Sequence, residues 1–239
     1  MINKDLMIDL AEKFGTPLYI TDLNTVKQNY ENVYNSFKEK FSNFKIFYAM
    51  KANYNPFILE TLKELGSGID AASPYEFLLA KRVGFNGKDI SFSPPNASRE
   101  EIKIAEDNGI GTLIFDSLDM IEQTKGIYFD NFGIRINPGI EAGFNEKVMT
   151  GKAYSKFGID LSKIKDAVNL ANSLGLRING LHAHIGSNIS NEIPYKLLMD
   201  KFKELSRYLS KKDFIDIGGG FGYDYYTGKH YDIEKISKV

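Results

Sequence analysis

The sequence predicts an α/β fold, with a parallel sheet curled as a TIM-type (β/α)8 barrel. Three observations carry this. Short apolar runs alternate with helical stretches of about ten or more residues, and that order demands parallel strands, because a parallel connection needs a crossover of such length. About seven βα units follow one another, where a complete barrel has eight in about 250 residues, and the chain has 239. Polar residues gather at the C-terminal ends of the runs, the end at which a parallel barrel builds its site. A doubly wound open sheet is the structural alternative.

The elements are expected in this order. Pro17 to Ile20 reads as a short strand. Thr21 then caps a helix from about Asp22 to Lys40, with Val26, Tyr30, Val33 and Phe37 on one face. The run Phe44 to Ala49 is a buried strand, followed by a helix from Pro56 to Leu65. Gly68 to Ala71 is the next strand, with a helix from Pro74 to Val83. Asp89 to Phe92 is another, and Ser98 caps a helix reaching Asn108. Thr112 to Phe115 leads into a helix from Ser117 to Gln123, and Phe132 to Ile136 ends at Asn137-Pro138-Gly139. Residues 137–157 show no periodicity, and a loop of that length is usually functional or mobile. A helix from Leu161 to Leu174, a strand from Ile178 to His184, a helix from Ile193 to Leu209 and a strand from Phe214 to Ile217 complete the series. The last residues, Ile236 to Val239, fall in the helix after the seventh strand.

Composition narrows the function classes. The chain is 43% hydrophobic and 26% charged with a net charge of −1, so neither nucleic acid nor a membrane surface is an expected partner. There is no cysteine, which excludes disulfides and thiolate metal sites within it and makes a reducing cytoplasm the default location. No apolar run approaches the roughly 20 residues needed to span a bilayer.

The candidate site is a set of polar residues at strand ends. Lys51 follows the run ending at Ala49, and an amine at a barrel mouth is the natural partner of an aldehyde cofactor, with which it can form a Schiff base. Asp70 ends the next strand, Glu76 follows in its helix, and Arg135 lies in the fifth strand. His182 and His184 share one face at strand period two. They could ligate a metal, but carboxylates or thiolates at a telling spacing are missing, so no metal is expected. His182 is read as structural. Gly218-Gly219-Gly220-Phe221-Gly222 follows the seventh strand, where a barrel commonly cradles phosphate on backbone N–H groups. The glycine spacing is wrong for a dinucleotide fingerprint, and no Walker pattern occurs. A lysine for an aldehyde and a cradle for a phosphate together suit pyridoxal 5′-phosphate.

Further motifs extend this reading. They are Phe14-Gly15-Thr16-Pro17-Leu18-Tyr19, Tyr48-Ala49-Met50-Lys51-Ala52-Asn53, Gly68-Ile69-Asp70-Ala71-Ala72-Ser73 with Glu76, and Arg135-Ile136-Asn137-Pro138. To these add Thr150-Gly151 with Ser155-Lys156-Phe157-Gly158-Ile159, Gly180-Leu181-His182-Ala183-His184-Ile185-Gly186-Ser187, and Asp216-Ile217 before the glycine run. From about Phe14 to its last residue the chain resembles the fold III pyridoxal-phosphate decarboxylases of basic amino acids, most nearly the diaminopimelate type. The resemblance implies the barrel of the alanine racemase and ornithine decarboxylase N-terminal type. It makes Lys51 the residue that bonds the cofactor and His184 the ring that stacks on it. Asp70, Glu76 and Arg135 become the polar network near Lys51, and Ser187, Gly218, Gly219 and Gly220 the phosphate site. It implies a small-molecule amino-acid substrate, meso-diaminopimelate giving L-lysine, and a homodimer as the complete protein. Thr150 and Gly151 are expected to help recognise the substrate.

The chain also departs from the family. Its Glu-Pro-Gly-Arg-like motif at the eighth strand is missing, and so is the second, β-barrel-like domain, with its cysteine and tyrosine. The Pro17–Ile20 strand, part of a segment 1–22, would pair with that domain. Ser93-Pro94-Pro95-Asn96 replaces a more usual glycine-containing sequence. The chain is therefore expected to be the front part of a longer protein, a barrel truncated before its eighth strand with two unpaired edges. Alternatives are a decarboxylase of another basic amino acid or polyamine precursor, a racemase on a similar barrel, and a non-catalytic pyridoxal-phosphate-binding barrel. His182-Ala183-His184-Ile185-Gly186-Ser187 and the glycine run favour a decarboxylase over a racemase.

Overall fold

A computed structural model describes residues 3–140 and 155–239. Most of the loop expected at 137–157, including Thr150 and Gly151, lies outside the described residues.

Local signals set most boundaries. Helix α1 (Lys4–Phe14) is capped by Asn3, and α2 (Leu23–Lys38) by Asp22, which accepts from the N–H groups of Asn24 and Thr25. Strand β1 (Phe47–Ala49) leads to α3 (Pro56–Glu64), with proline in the first turn, where its missing N–H costs nothing. Next come β2 (Gly68–Ala71) and α4 (Pro74–Val83), the helix capped by Ser73 and ended by Gly84 in the left-handed conformation. Strand β3 (Ile90–Phe92) leads to α5 (Arg99–Asp107), which begins with a reciprocal Ser98–Glu101 capping box. Then follow β4 (Thr112–Phe115), α6 (Leu118–Gln123), β5 (Asn131–Asn137), β6 (Ile159–Asp160) and α7 (Ile164–Ser173). The described chain ends with β7 (Ile178–His182), α8 (Ile193–Leu205), β8 (Phe214–Asp216), a small hairpin β9 (Tyr223–Asp224) with β10 (Lys229–His230), and α9 (Ile233–Ser237).

The strand order decides between the two architectures. It runs β1-β2-β3-β4-β5-β7-β8, every neighbouring pair parallel, with β6 on the far end of β5. Sequential order without reversal is that of a barrel and not of a doubly wound sheet. Among the described residues β1 and β8 end the path, so the sheet is an open, curled part of a TIM-type barrel.

Register stacks the interior in layers. Gly133, Gly180 and Phe214 are ladder partners, and two residues on, on the same face, so are Arg135, His182 and Asp216. The Phe214 ring occupies the space a side chain at Gly180 would need, within 2.1 Å of a Cβ there. Two glycines thus let one aromatic ring form an apolar floor beneath a polar layer. A second, smaller cluster of Tyr30, Ile58 and Leu62 ties α2 to α3.

Several expectations are corrected. Pro17 to Ile20 forms no strand; no ladder partner lies beside it among the described residues, and Tyr19 is wholly exposed. Asp22, not Thr21, caps α2. Strand β7 stops at His182, so His184 lies beyond it, and β8 stops at Asp216. Helix α8 ends at Leu205 and passes into a 3-10 turn, Ser206–Tyr208. Helix α1, the short β6 and the β9–β10 hairpin are not anticipated in the sequence. Among the described residues no helix is long and apolar enough to cross a membrane.

Candidate active site

Lys51 sits on one 3-10 turn, Met50–Ala52, directly after β1. Met50 is completely buried and anchors the turn, while Lys51 is exposed. Its charge nevertheless reaches Asp70, His182 and His184, and it bears on the protonation of all three.

Asp70 is the third residue of β2 and accepts a hydrogen bond from the Ser93 hydroxyl, which follows β3. Burial pushes its carboxyl up to about 7, with Asp216 adding to the effect; Ser93, Lys51 and Arg135 oppose it. Asp70 can therefore hold or release a proton near neutral pH.

Arg135 is held from two sides. Its Nη1 lies 3.1 Å from Asp116 Oδ1, and its guanidinium stands over the Phe157 ring at 4.7 Å. The other oxygen of Asp116 accepts from the Gly158 N–H at 3.1 Å. Burial draws Arg135 and Asp116 each toward its neutral form, and their mutual attraction opposes both shifts.

His184 follows β7. Its Nδ1 faces the Gly219 N–H at 3.5 Å, and burial first, then the Lys51 charge, lowers its pKa to about 3. His182 is 6% exposed, its Nδ1 has no partner among the described residues, and burial holds it likewise at about 3. Both rings are neutral at ordinary pH.

The glycine loop after β8 packs backbone to backbone against the segment after β7. A Cβ on Gly218 would stand 2.5 Å from the Ala183 carbonyl oxygen, and one on Gly220 2.1 Å from that of Gly186; both residues have positive φ, of 68° and 87°. Asp216 Oδ1 accepts from the Gly218 N–H at 2.8 Å and fixes the entry to the loop. Ser187 is exposed and lies beside Gly220.

Lys51, Asp70, Arg135, His184, Ser187 and Gly218 to Gly220 thus gather at the C-terminal end of the sheet. Glu76 is used differently. Its carboxylate turns back to accept from the Ala72 N–H at 2.5 Å, ahead of its own helix. Sequence reasoning gave no role to Ser93, Asp116 or Asp216. Two of them had a readable signal, an acid at the C-terminal end of an apolar run. A cavity of about 430 Å³ between α8 and β8, lined by Leu181, Met199, Phe202, Leu209 and Phe214, lies apart from this group.

The arrangement suits a flat aldehyde bearing a phosphate. An exposed amine, a neutral imidazole and a cradle that only glycines can form are brought to one end of the sheet. Residues 26–239 match the family described as pyridoxal-dependent decarboxylase, pyridoxal binding domain. The chain belongs to the pyridoxal-dependent decarboxylases. It is 35% identical over 225 residues to the diaminopimelate decarboxylase of Methanothermobacter thermautotrophicus, covering 91% of this chain and 52% of that one. Diaminopimelate decarboxylase from Helicobacter pylori, solved with L-lysine, superposes with a TM-score of 0.89 at 28% identity, over 97% of this chain and 61% of the other. A protein designated SrLDC, solved as a double mutant with PLP, gives a TM-score of 0.84 at 26% identity, covering 100% and 61% of the two chains. The chain spans about half the length of the curated relatives it matches. Within the pyridoxal-dependent decarboxylases, the order of Lys51, His184 and the glycine run along the chain becomes the order of strand ends around one sheet.

Proposed function

We propose that this chain is the cofactor-binding barrel of a carboxy-lyase that converts meso-diaminopimelate to L-lysine with pyridoxal 5′-phosphate. The observation that carries the reading is the gathering of Lys51, Asp70, Arg135, His184 and the Gly218–Gly220 cradle at one end of the sheet. The choice of substrate is supported by the relatives named diaminopimelate decarboxylase. When bound, the cofactor supplies an electron sink for the pair left as the carboxylate departs.

The residues of the chain supply placement and charge. Lys51 presents the amine that holds the aldehyde. Asp70, poised near neutrality, is the group beside it able to take up or return a proton. Arg135, fixed by Asp116 and Phe157, sets a permanent positive charge in the same layer as Asp216. His184 offers a neutral face that does not compete for charge. Ser187 and the glycine loop hold the phosphate by hydrogen bonds, and Glu76 steadies the chain between β2 and α4. A homodimer as the working form rests on the family resemblance alone, and a cytoplasmic location on the lack of cysteine in the sequence.

The site is tested by adding pyridoxal phosphate, reducing with borohydride and mapping the labelled peptide. Label is expected on Lys51, and label elsewhere overturns the site. The substrate is tested by carbon dioxide release from diaminopimelate, lysine and ornithine in the complete enzyme, with release from diaminopimelate expected. Release from none of the three would remove the decarboxylase reading.

A further inference from the structure

Tyr195 lies in the first turn of α8, is 2% exposed, and donates from its hydroxyl to the Gly219 carbonyl at 2.9 Å. A peptide unit is planar and trans, so the carbonyl of Gly219 and the N–H of Gly220 point in opposite directions. A carbonyl drawn outward to a helix on the outer layer therefore turns the next N–H inward, toward the mouth. The following carbonyl is tied in the same way, since Gly220 O accepts from the Ile189 N–H at 2.8 Å. The N–H groups of Gly218 and Gly219 already face Asp216 and His184. That leaves the Gly219–Gly220 peptide as the one whose direction matters most for an incoming anion. Glycines on both sides make this peptide easy to flip, because neither has a Cβ to oppose rotation. The Tyr195 ring is itself wedged against Phe221 at 5.7 Å, and Phe221 against Phe37 at 6.3 Å, so the hydroxyl cannot wander.

We infer that Tyr195 is a positioning residue for the phosphate site, acting through the Gly219 carbonyl to aim the Gly220 N–H at the phosphate. This rests on the proposed cofactor. The decisive variant is Tyr195→Phe, which keeps the ring and its packing and removes only the hydroxyl. The probes are pyridoxal phosphate and pyridoxal, which differ only in the phosphate, each titrated by absorbance on the wild-type chain and the variant. The phosphate form should bind about three- to tenfold more weakly to the variant, the worth of one neutral hydrogen bond, while pyridoxal binds both proteins equally. An equal loss for both ligands, or no loss for either, overturns the inference. Wild-type protein that does not prefer pyridoxal phosphate to pyridoxal contradicts the cofactor reading instead. In that event the ligand-free proteins decide the point. A changed carbon-13 shift at the Gly219 carbonyl and faster exchange of the Gly220 amide in Tyr195→Phe support the tether, and unchanged signals refute it.

Discussion

Asp116 bridges Arg135 and Gly158, with one oxygen 3.1 Å from the guanidinium and the other accepting the Gly158 N–H at 3.1 Å. Both side chains of the ion pair are nearly buried. The gain from such a pair over an apolar filling is small, but removing one member strands a charge. Asp116→Ala should cost about 3–5 kcal/mol by urea unfolding. Asp116→Asn, which keeps an acceptor for Gly158, should cost less. Adding Arg135→Met to Asp116→Asn should recover part of the loss, because no uncompensated charge remains. A loss below about 1 kcal/mol in Asp116→Ala, the range of an exposed pair, would show that solvent reaches the guanidinium.

Asp70 makes stability depend on pH. Its native carboxyl keeps its proton up to about pH 7, whereas the unfolded group releases it near 3.8. Between these values the native state binds more protons than the unfolded state, so this group's contribution falls as pH rises, and it levels off above 7. Asp70→Asn cannot ionise and still offers an oxygen to Ser93. Relative to wild type it should gain stability from pH 4.5 to 7.5, by about 4 kcal/mol at most. Chemical denaturation at the two pH values measures the difference, and a constant difference would place the native pKa at its ordinary value.

His182 and His184 act in the opposite sense. Each has a native pKa of about 3 against 6.5 unfolded. Between those values the unfolded state binds more protons, so their contribution is complete above 6.5 and is lost as pH falls toward 3. In the native protein their imidazole resonances should stay put from pH 8 to 5. A midpoint near 6.5 for either ring would mean that it is solvated.

The sequence was most readable where stop signals and burial agreed. The bounds of β2, α4 and β4 match their expected ones because serine, proline and glycine mark the helix ends and each strand is mostly apolar. Helix α1 was missed although Leu6, Met7, Leu10, Ala11 and Phe14 recur at helical spacing, and none of them is buried. Pro17–Ile20, an apolar run that read as a strand, has no ladder partner among the described residues. In the site, Lys51, His184 and the glycine run were visible as short motifs at strand ends. Asp116 was visible only as an acid ending an apolar run, and its role was not, because its partners lie 19 and 42 residues away along the chain. The Tyr195 hydrogen bond, 24 residues from its acceptor, was hidden for the same reason. Glu76 was read as a member of the Lys51 network, and at the third position of α4 its carboxylate accepts from the Ala72 N–H, as a capping side chain does.

The glycine loop itself allows a graded test. Gly218 and Gly220 combine positive φ with a backbone oxygen 2.5 Å and 2.1 Å from where a Cβ would stand, whereas among the described residues Gly219 has nothing within 4 Å. An alanine at either outer position takes on left-handed strain of about 1–2 kcal/mol and overpacking of about 1–3 kcal/mol. The obstacle is backbone, which cannot swing away as a side chain would. Gly220→Ala should therefore be the least stable, Gly218→Ala next, and Gly219→Ala close to wild type in thermal melting. The middle substitution also leaves the Tyr195 tether in place, since the hydroxyl bonds a carbonyl that alanine retains. A Gly219→Ala protein as unstable as Gly220→Ala would mean that the loop does not pack on the 183–186 segment as described.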